Sequence, residues 1–129
     1  MGKLQGEKNE KVCEHLFTET EFFDWVVTTA FYAALHYTQH EIFPYKESLV
    51  THSTFDSYYG SLKKNNGKPT KHDAQIALIS RAIPGAGAHY RFLHDNSWTA
   101  RYRSYKVPKS VAETARKRLQ FLKGFCTKE

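Results

Sequence analysis

The sequence predicts an all-α fold, a bundle of four to five helices, on three observations. Its longest apolar stretch, residues 20–43, repeats at helical rather than strand spacing. Glycine and proline are sparse, 7 and 4 in 129 residues, too few for a β-sandwich that turns every ~8–12 residues. No segment alternates convincingly with a period of two. The hydrophobic share of 40%, with 9 Phe, 8 Tyr and 2 Trp, can fill a core and excludes an intrinsically disordered chain. The length suits one domain over residues 1–129. No apolar run is long enough for a membrane span, and Met1 to Glu10 is too polar for a secretory signal. A soluble cytoplasmic protein is expected.

Taken in order, the elements begin with a short helix over roughly 7–16. Thr18-Glu19-Thr20-Glu21 has capping-box spacing, with hydroxyl and carboxylate placed to satisfy orphan amides at a helix start. The helix it opens runs from Thr20 to Phe43, stopping before Pro44 because the residue before proline avoids the α region. Phe22, Val26, Ala30, Ala33 and Tyr37 form one stripe, and Phe23, Val27, Phe31 and Leu35 an adjoining one. A helix apolar over so wide an arc is central in a bundle or half buried in a dimer. Residues 44–54 read as loop. Ser53-Thr54-Phe55-Asp56 starts a short helix reaching Lys64, and Asn65-Asn66-Gly67-Lys68-Pro69 is a turn. Thr70 caps the next helix, with Ile76, Ile79 and Ile83 on its buried face, and Pro84-Gly85 ends it. A helix over 87–105 follows, with Tyr90, Leu93, Ser97, Ala100 and Arg101 on one side. After Pro108, Ser110 and Glu113 repeat the capping-box spacing ahead of the buried stripe Val111, Ala115, Leu119 and Leu122. The opposite face carries Lys109, Arg116, Lys117 and Lys123.

Charge is distributed unevenly. Residues 1–60 carry four lysines, no arginine and nine acids, whereas 61–129 carry nine lysines, six arginines and four acids. Such asymmetry suits a basic surface that meets phosphate, or one that meets the acidic half of a second copy. Cys13 and Cys126 stand near opposite ends and read as small packing residues rather than a disulfide. His36 and His40 are four apart, a spacing metal ligands use, with Cys13 and His15 as conceivable partners. An interior hydrogen-bonded imidazole is the commoner outcome for such a residue, so no metal and no cofactor are expected. No nucleophile elbow or phosphate-cradling glycine loop is present, since Gly85-Ala86-Gly87-Ala88 follows a helix rather than a strand.

The densest polar segment is Ala88 to Tyr105. On helical spacing Arg91, His94, Trp98, Arg101 and Tyr105 share a face. Arginines interleaved with aromatics offer phosphate clamps and stacking planes together, a combination suited to nucleotides or single-stranded RNA. The competing reading has the aromatics in the core and the arginines snorkelling over them.

The run WVVTTAFYAALHY, then YRFL, then SWTARY ahead of a basic terminal helix resembles small bacterial HEPN-type proteins (higher eukaryote and prokaryote nucleotide-binding domains). The matching residues are Trp25, Tyr32, Ala33, Ala34, Leu35, His36, Tyr90, Leu93, Ser97, Ala100, Arg101 and Tyr102, within residues 20–125. The resemblance implies a helical bundle, a homodimer, and RNA or nucleotide association in toxin, defence or RNA-processing systems. Members that cut RNA carry Arg-x(4–6)-His. Here Arg81 precedes His89 by seven intervening residues and His94 by twelve, and Arg91 precedes His94 by two. The His-x2-Arg of the small-protein pattern is also incomplete, since Gln75 stands three after His72. These departures leave the fold expectation in place and count against a nuclease.

The expected function is therefore binding of RNA or a nucleotide phosphate through the basic second half, by Arg91, His94, Trp98, Arg101, Tyr102 and Tyr105. One alternative is a metal-independent ribonuclease with a non-standard pair, for which His94 and Arg91 are the best catalytic candidates. The other is a non-catalytic interaction module partnering a nucleotidyltransferase-like protein.

Overall fold

The computed structural model describes residues 2–62 and 67–129. In chain order they form α1 (Gly2–Glu19), α2 (Phe23–Ile42), β1 (Tyr45–Glu47), β2 (Val50–His52), α3 (Phe55–Ser61), α4 (Lys71–Ala82), α5 (Gly87–Tyr102) and α6 (Lys109–Phe125). The fold is all-α, five helices of twelve residues or more plus the seven-residue α3. Among the described residues no helix is long and apolar enough to cross a membrane.

Helix α2 is the axle of the bundle. It packs against α1, α5, α6 and, more lightly, α4. Both of its expected stripes are needed for this: Val26, Val27, Ala30, Phe31, Ala33, Ala34 and Tyr37 are all buried. The wide apolar arc is thus absorbed within one chain, and it does not by itself call for a second copy. Close approach of α1 rests on Gly6, where an added Cβ would stand 2.8 Å from the Tyr37 ring. The buried face of α5 is Tyr90, Leu93, Ser97 and Ala100, with Arg101 exposed, and that of α6 is Ala112, Ala115, Leu119 and Leu122, with the expected Val111 only half-buried. Each fully buried Leu contributes about 1.5–3 kcal/mol.

Several local expectations are corrected. The hydroxyls of the 18–21 segment close a helix rather than open one. Thr18 Oγ1 donates to the Glu14 carbonyl at 3.0 Å and Thr20 Oγ1 to that of Leu16 at 2.6 Å, satisfying carbonyls at the end of a first helix much longer than 7–16. Helix α2 therefore starts at Phe23, with no side-chain cap on its first amides. Ser110 is not a cap either. Pro108 stands at the N-cap position, its locked φ of −64° leading directly into Lys109. Thr70 does cap α4, accepting from the Asp73 amide at 3.1 Å, and Thr54 caps α3 in the same way through Ser57. The end of the short helix at Lys63 and Lys64, and Asn65 and Asn66 of the turn, lie outside the described residues.

Residues 44–54 are not all loop. β1 and β2 pair antiparallel, Tyr45 opposite His52 and Glu47 opposite Val50, across a turn in which Ser48 has φ 57°. Strands of three residues are too short to show a period of two. The hairpin is held by side chains: Tyr45 and His52 both meet the buried Tyr58 ring edge-on, at 5.6 and 5.7 Å. His52 Nδ1 also pairs with Ser57 Oγ at 2.9 Å.

Candidate functional site: a histidine-lined cleft between α4 and α5

Capping by Thr70 places His72 in the first turn of α4. The Ile76–Ile79 face of α4 is buried, which brings His72 against the middle of α5. There it stacks on His94, ring centroids 3.3 Å apart and planes 14° from parallel. Phe31 of α2 meets the His94 ring edge-on at 5.4 Å and fixes it from below. Asp95 joins both imidazoles: its Oδ1 lies 3.2 Å from His94 Nδ1 and 3.5 Å from His72 Nε2. With Trp98 and Thr99 these residues line a cleft of about 400 Å³.

The surroundings of His72 disfavour its charged form. Burial pushes the His72 pKa below its ordinary value, and nearby His94 and Arg91 push the same way, against Asp95 and Asp73. Two imidazolium rings in face-to-face contact would repel each other strongly. His72 carries a further cost: its Nδ1 is buried and has no hydrogen-bond partner among the described residues. Chemically, the cleft offers two imidazole nitrogens and one carboxylate oxygen within 4.8 Å of one another.

The expected ligand-binding residues divide into four groups. His94 and Trp98 line the cleft, and Tyr102 leans on Trp98 with centroids 5.5 Å apart, leaving Trp98 40% and Tyr102 65% exposed. Arg103, which the sequence reading did not single out, lies over the Trp98 ring at 5.2 Å. Arg101 turns toward α2, donating to Tyr32 OH at 3.0 Å while its guanidinium also lies 5.2 Å from the Tyr102 ring. Tyr105 is a correction: α5 ends at Tyr102, so Tyr105 lies beyond the helix, 70% exposed and off the expected face. Arg91 is exposed one turn before His94. The polar neighbours of His94 are Asp95 and His72.

His72 and Asp95 are the residues that sequence reasoning missed. His72 is 22 positions from His94, and only the packing of α4 on α5 joins them. The pair considered instead, His36 and His40, is not completed by Cys13, whose Sγ is buried against the Val26 carbonyl at 3.5 Å. His40 Nε2 faces the Glu129 carbonyl at 3.2 Å. Both cysteines are free thiols, and burial pushes each up to about 12, which makes them packing residues rather than nucleophiles.

Models of protein families, curated proteins and solved structures were all compared with this chain, and none matches significantly.

Proposed function

We propose that this protein binds single-stranded RNA, or a nucleotide, across the α4–α5 cleft and the aromatic surface beside it, the association that its resemblance to HEPN-type proteins implies. One observation carries the reading. Exposed aromatic rings and arginines alternate along the end of α5, with Arg103 on Trp98, Trp98 against Tyr102, and Tyr102 under Arg101. Aromatic faces stack on bases whatever their sequence, and guanidinium groups take the phosphates between them. The same rings could have been core, but at 40% and 65% exposure Trp98 and Tyr102 are only half used in packing. Binding rather than cleavage is proposed, because the Arg-x(4–6)-His spacing of the RNA-cutting members is absent.

The test is fluorescence anisotropy with a labelled single-stranded RNA at low salt, in chelator. Trp98→Ala and Tyr102→Ala are each expected to weaken binding by about tenfold, the scale of one base–aromatic stack. Arg91→Ala and Arg103→Ala are each expected to flatten the log–log salt slope by about 0.7. RNA recovered from the parent protein is expected intact. Affinity unchanged in a Trp98→Ala/Tyr102→Ala double variant would turn the reading toward a protein-interaction module.

A further inference from the structure

We propose that His72, His94 and Asp95 form a binding site for one divalent transition-metal ion of the zinc, cobalt and nickel class. The inference is independent of RNA binding and rests on the three side chains themselves. An ion bound tetrahedrally through bonds of about 2.0–2.2 Å holds its ligand atoms roughly 3.3 Å apart. Asp95 Oδ1 already stands 3.2 Å from His94 Nδ1 and 3.5 Å from His72 Nε2. Two imidazoles with one carboxylate suit borderline ions, whereas magnesium and calcium favour all-oxygen sets.

The donors sit on helices rather than loops, His72 on α4 and the other two on α5, and Phe31 buttresses His94. The rings are 14° from parallel, so their lone pairs run side by side rather than meeting at a point. Loading the ion therefore requires one ring to tilt. His72 supplies that tilt at the smaller cost, since its Nδ1 has no hydrogen bond to lose among the described residues. Among nearby charges Asp95 and Asp73 favour a cation, while Arg91 and the N-terminal dipole of α4 oppose it. Both opposing terms act through space, and direct coordination by three donors outweighs them. Three protein ligands leave at least one position for water or an anion, and it opens toward Trp98 and Thr99 in the cleft.

The experiment strips the full-length chain with chelator and titrates it with cobalt(II) chloride, followed by the visible absorption of the ion. Zinc chloride then displaces the cobalt, and thermal melting is recorded with and without zinc. The expected results are one equivalent of cobalt per chain and a zinc-dependent rise in Tm. His72→Ala, His94→Ala and Asp95→Asn are each expected to weaken binding by more than about 100-fold, above the 10–100-fold loss typical of supporting groups. A His36→Ala/His40→Ala double variant is expected to bind like the parent. Circular dichroism checks that each variant folds, and the exposed Asp95→Asn keeps the test in force if a histidine variant does not. The proposal is overturned if the parent shows no cobalt spectrum and no zinc-dependent Tm. It is equally overturned if binding survives in His72→Ala/His94→Ala, or is lost in the His36/His40 variant. Because RNA binding is assayed in chelator, its outcome and this one are separable.

Discussion

The groove between α1 and α6 and the cleft between α4 and α5 are nearly equal in volume, about 420 and 400 Å³. Both bring acids and bases together across helices, yet they hold their polar groups in opposite states. In the first, Arg116 makes a bidentate pair with Glu14 through Nε at 2.7 Å and Nη2 at 2.5 Å. One turn away, Glu10 accepts from Tyr37 OH at 2.6 Å, Gln120 Nε2 at 2.8 Å and Lys123 Nζ at 2.9 Å. Burial pushes the Glu10 carboxyl up, and the hydrogen bonds from Tyr37, Gln120 and Lys123 outweigh it, so its pKa lies below the ordinary value. In the second, one carboxylate serves two stacked imidazoles and a buried nitrogen goes unpaired. Saturated hydrogen bonding marks a seam that holds the bundle together. The cleft, by contrast, leaves one buried ring nitrogen of His72 without a partner among the described residues.

The comparison also accounts for much of the charge asymmetry. Acids of α1 and bases of α6 meet within one chain, so Arg116 and Lys123 are not free for an outside ligand. The basic residues left to the candidate site are those on α5 and just after it, Arg91 and Arg103 foremost.

Four measurements break or sharpen this contrast. The largest effect is expected under the seam: Leu119→Ala empties a fully buried position and should cost about 3 kcal/mol in urea unfolding. Next, Glu10→Ala strands three donors at a part-buried site and should cost about 2 kcal/mol. A loss no greater than that of a neutral surface substitution would remove the seam's structural role.

A smaller, pH-dependent loss should belong partly to the cleft. Burial lowers the pKa values of His36, His72 and His89, so each binds its proton more readily when unfolded than when folded. Their contribution is complete above the ordinary value of 6.5 and declines as pH falls from there toward the folded-state values. The Glu10 contribution, from a depressed carboxyl, is present above 4.5 and declines only at lower pH. Unfolding in chelator from pH 8 to about pH 2 should thus show two successive declines, and His72→Phe should shrink the first. A first decline of the same size in that variant would exclude His72 as a contributor. The smallest effect is that of His72→Phe at neutral pH, where exchanging the ring for an apolar one removes the unpaired nitrogen and keeps the stack. The expected change is within about 0.5 kcal/mol of zero, or slightly stabilising. A loss larger than that of Glu10→Ala would show that the cleft, too, is a structural seam.

Periodicity alone determined the all-α class, the central apolar helix and the buried faces of α4, α5 and α6, because a stripe at i, i+3, i+4 depends only on the helix that carries it. Thr70 was legible as a cap for the same reason, its hydroxyl bonding an amide three residues on. The hydroxyls at 18–20 were not, because the same local pattern can close one helix or open the next. Which it does depends on how far α1 extends, and α1 is held along α2 by the close approach at Gly6. Of the cleft lining, His94 and Trp98 were legible from their spacing on α5. Tyr105 was misplaced because the helix stops three residues short of it. His72 belongs to another helix, and no spacing rule links position 72 to position 94. Packing of the Ile76–Ile79 face of α4 beside Phe31 and α5 sets that pair face to face over Asp95, and only the tertiary structure decided it.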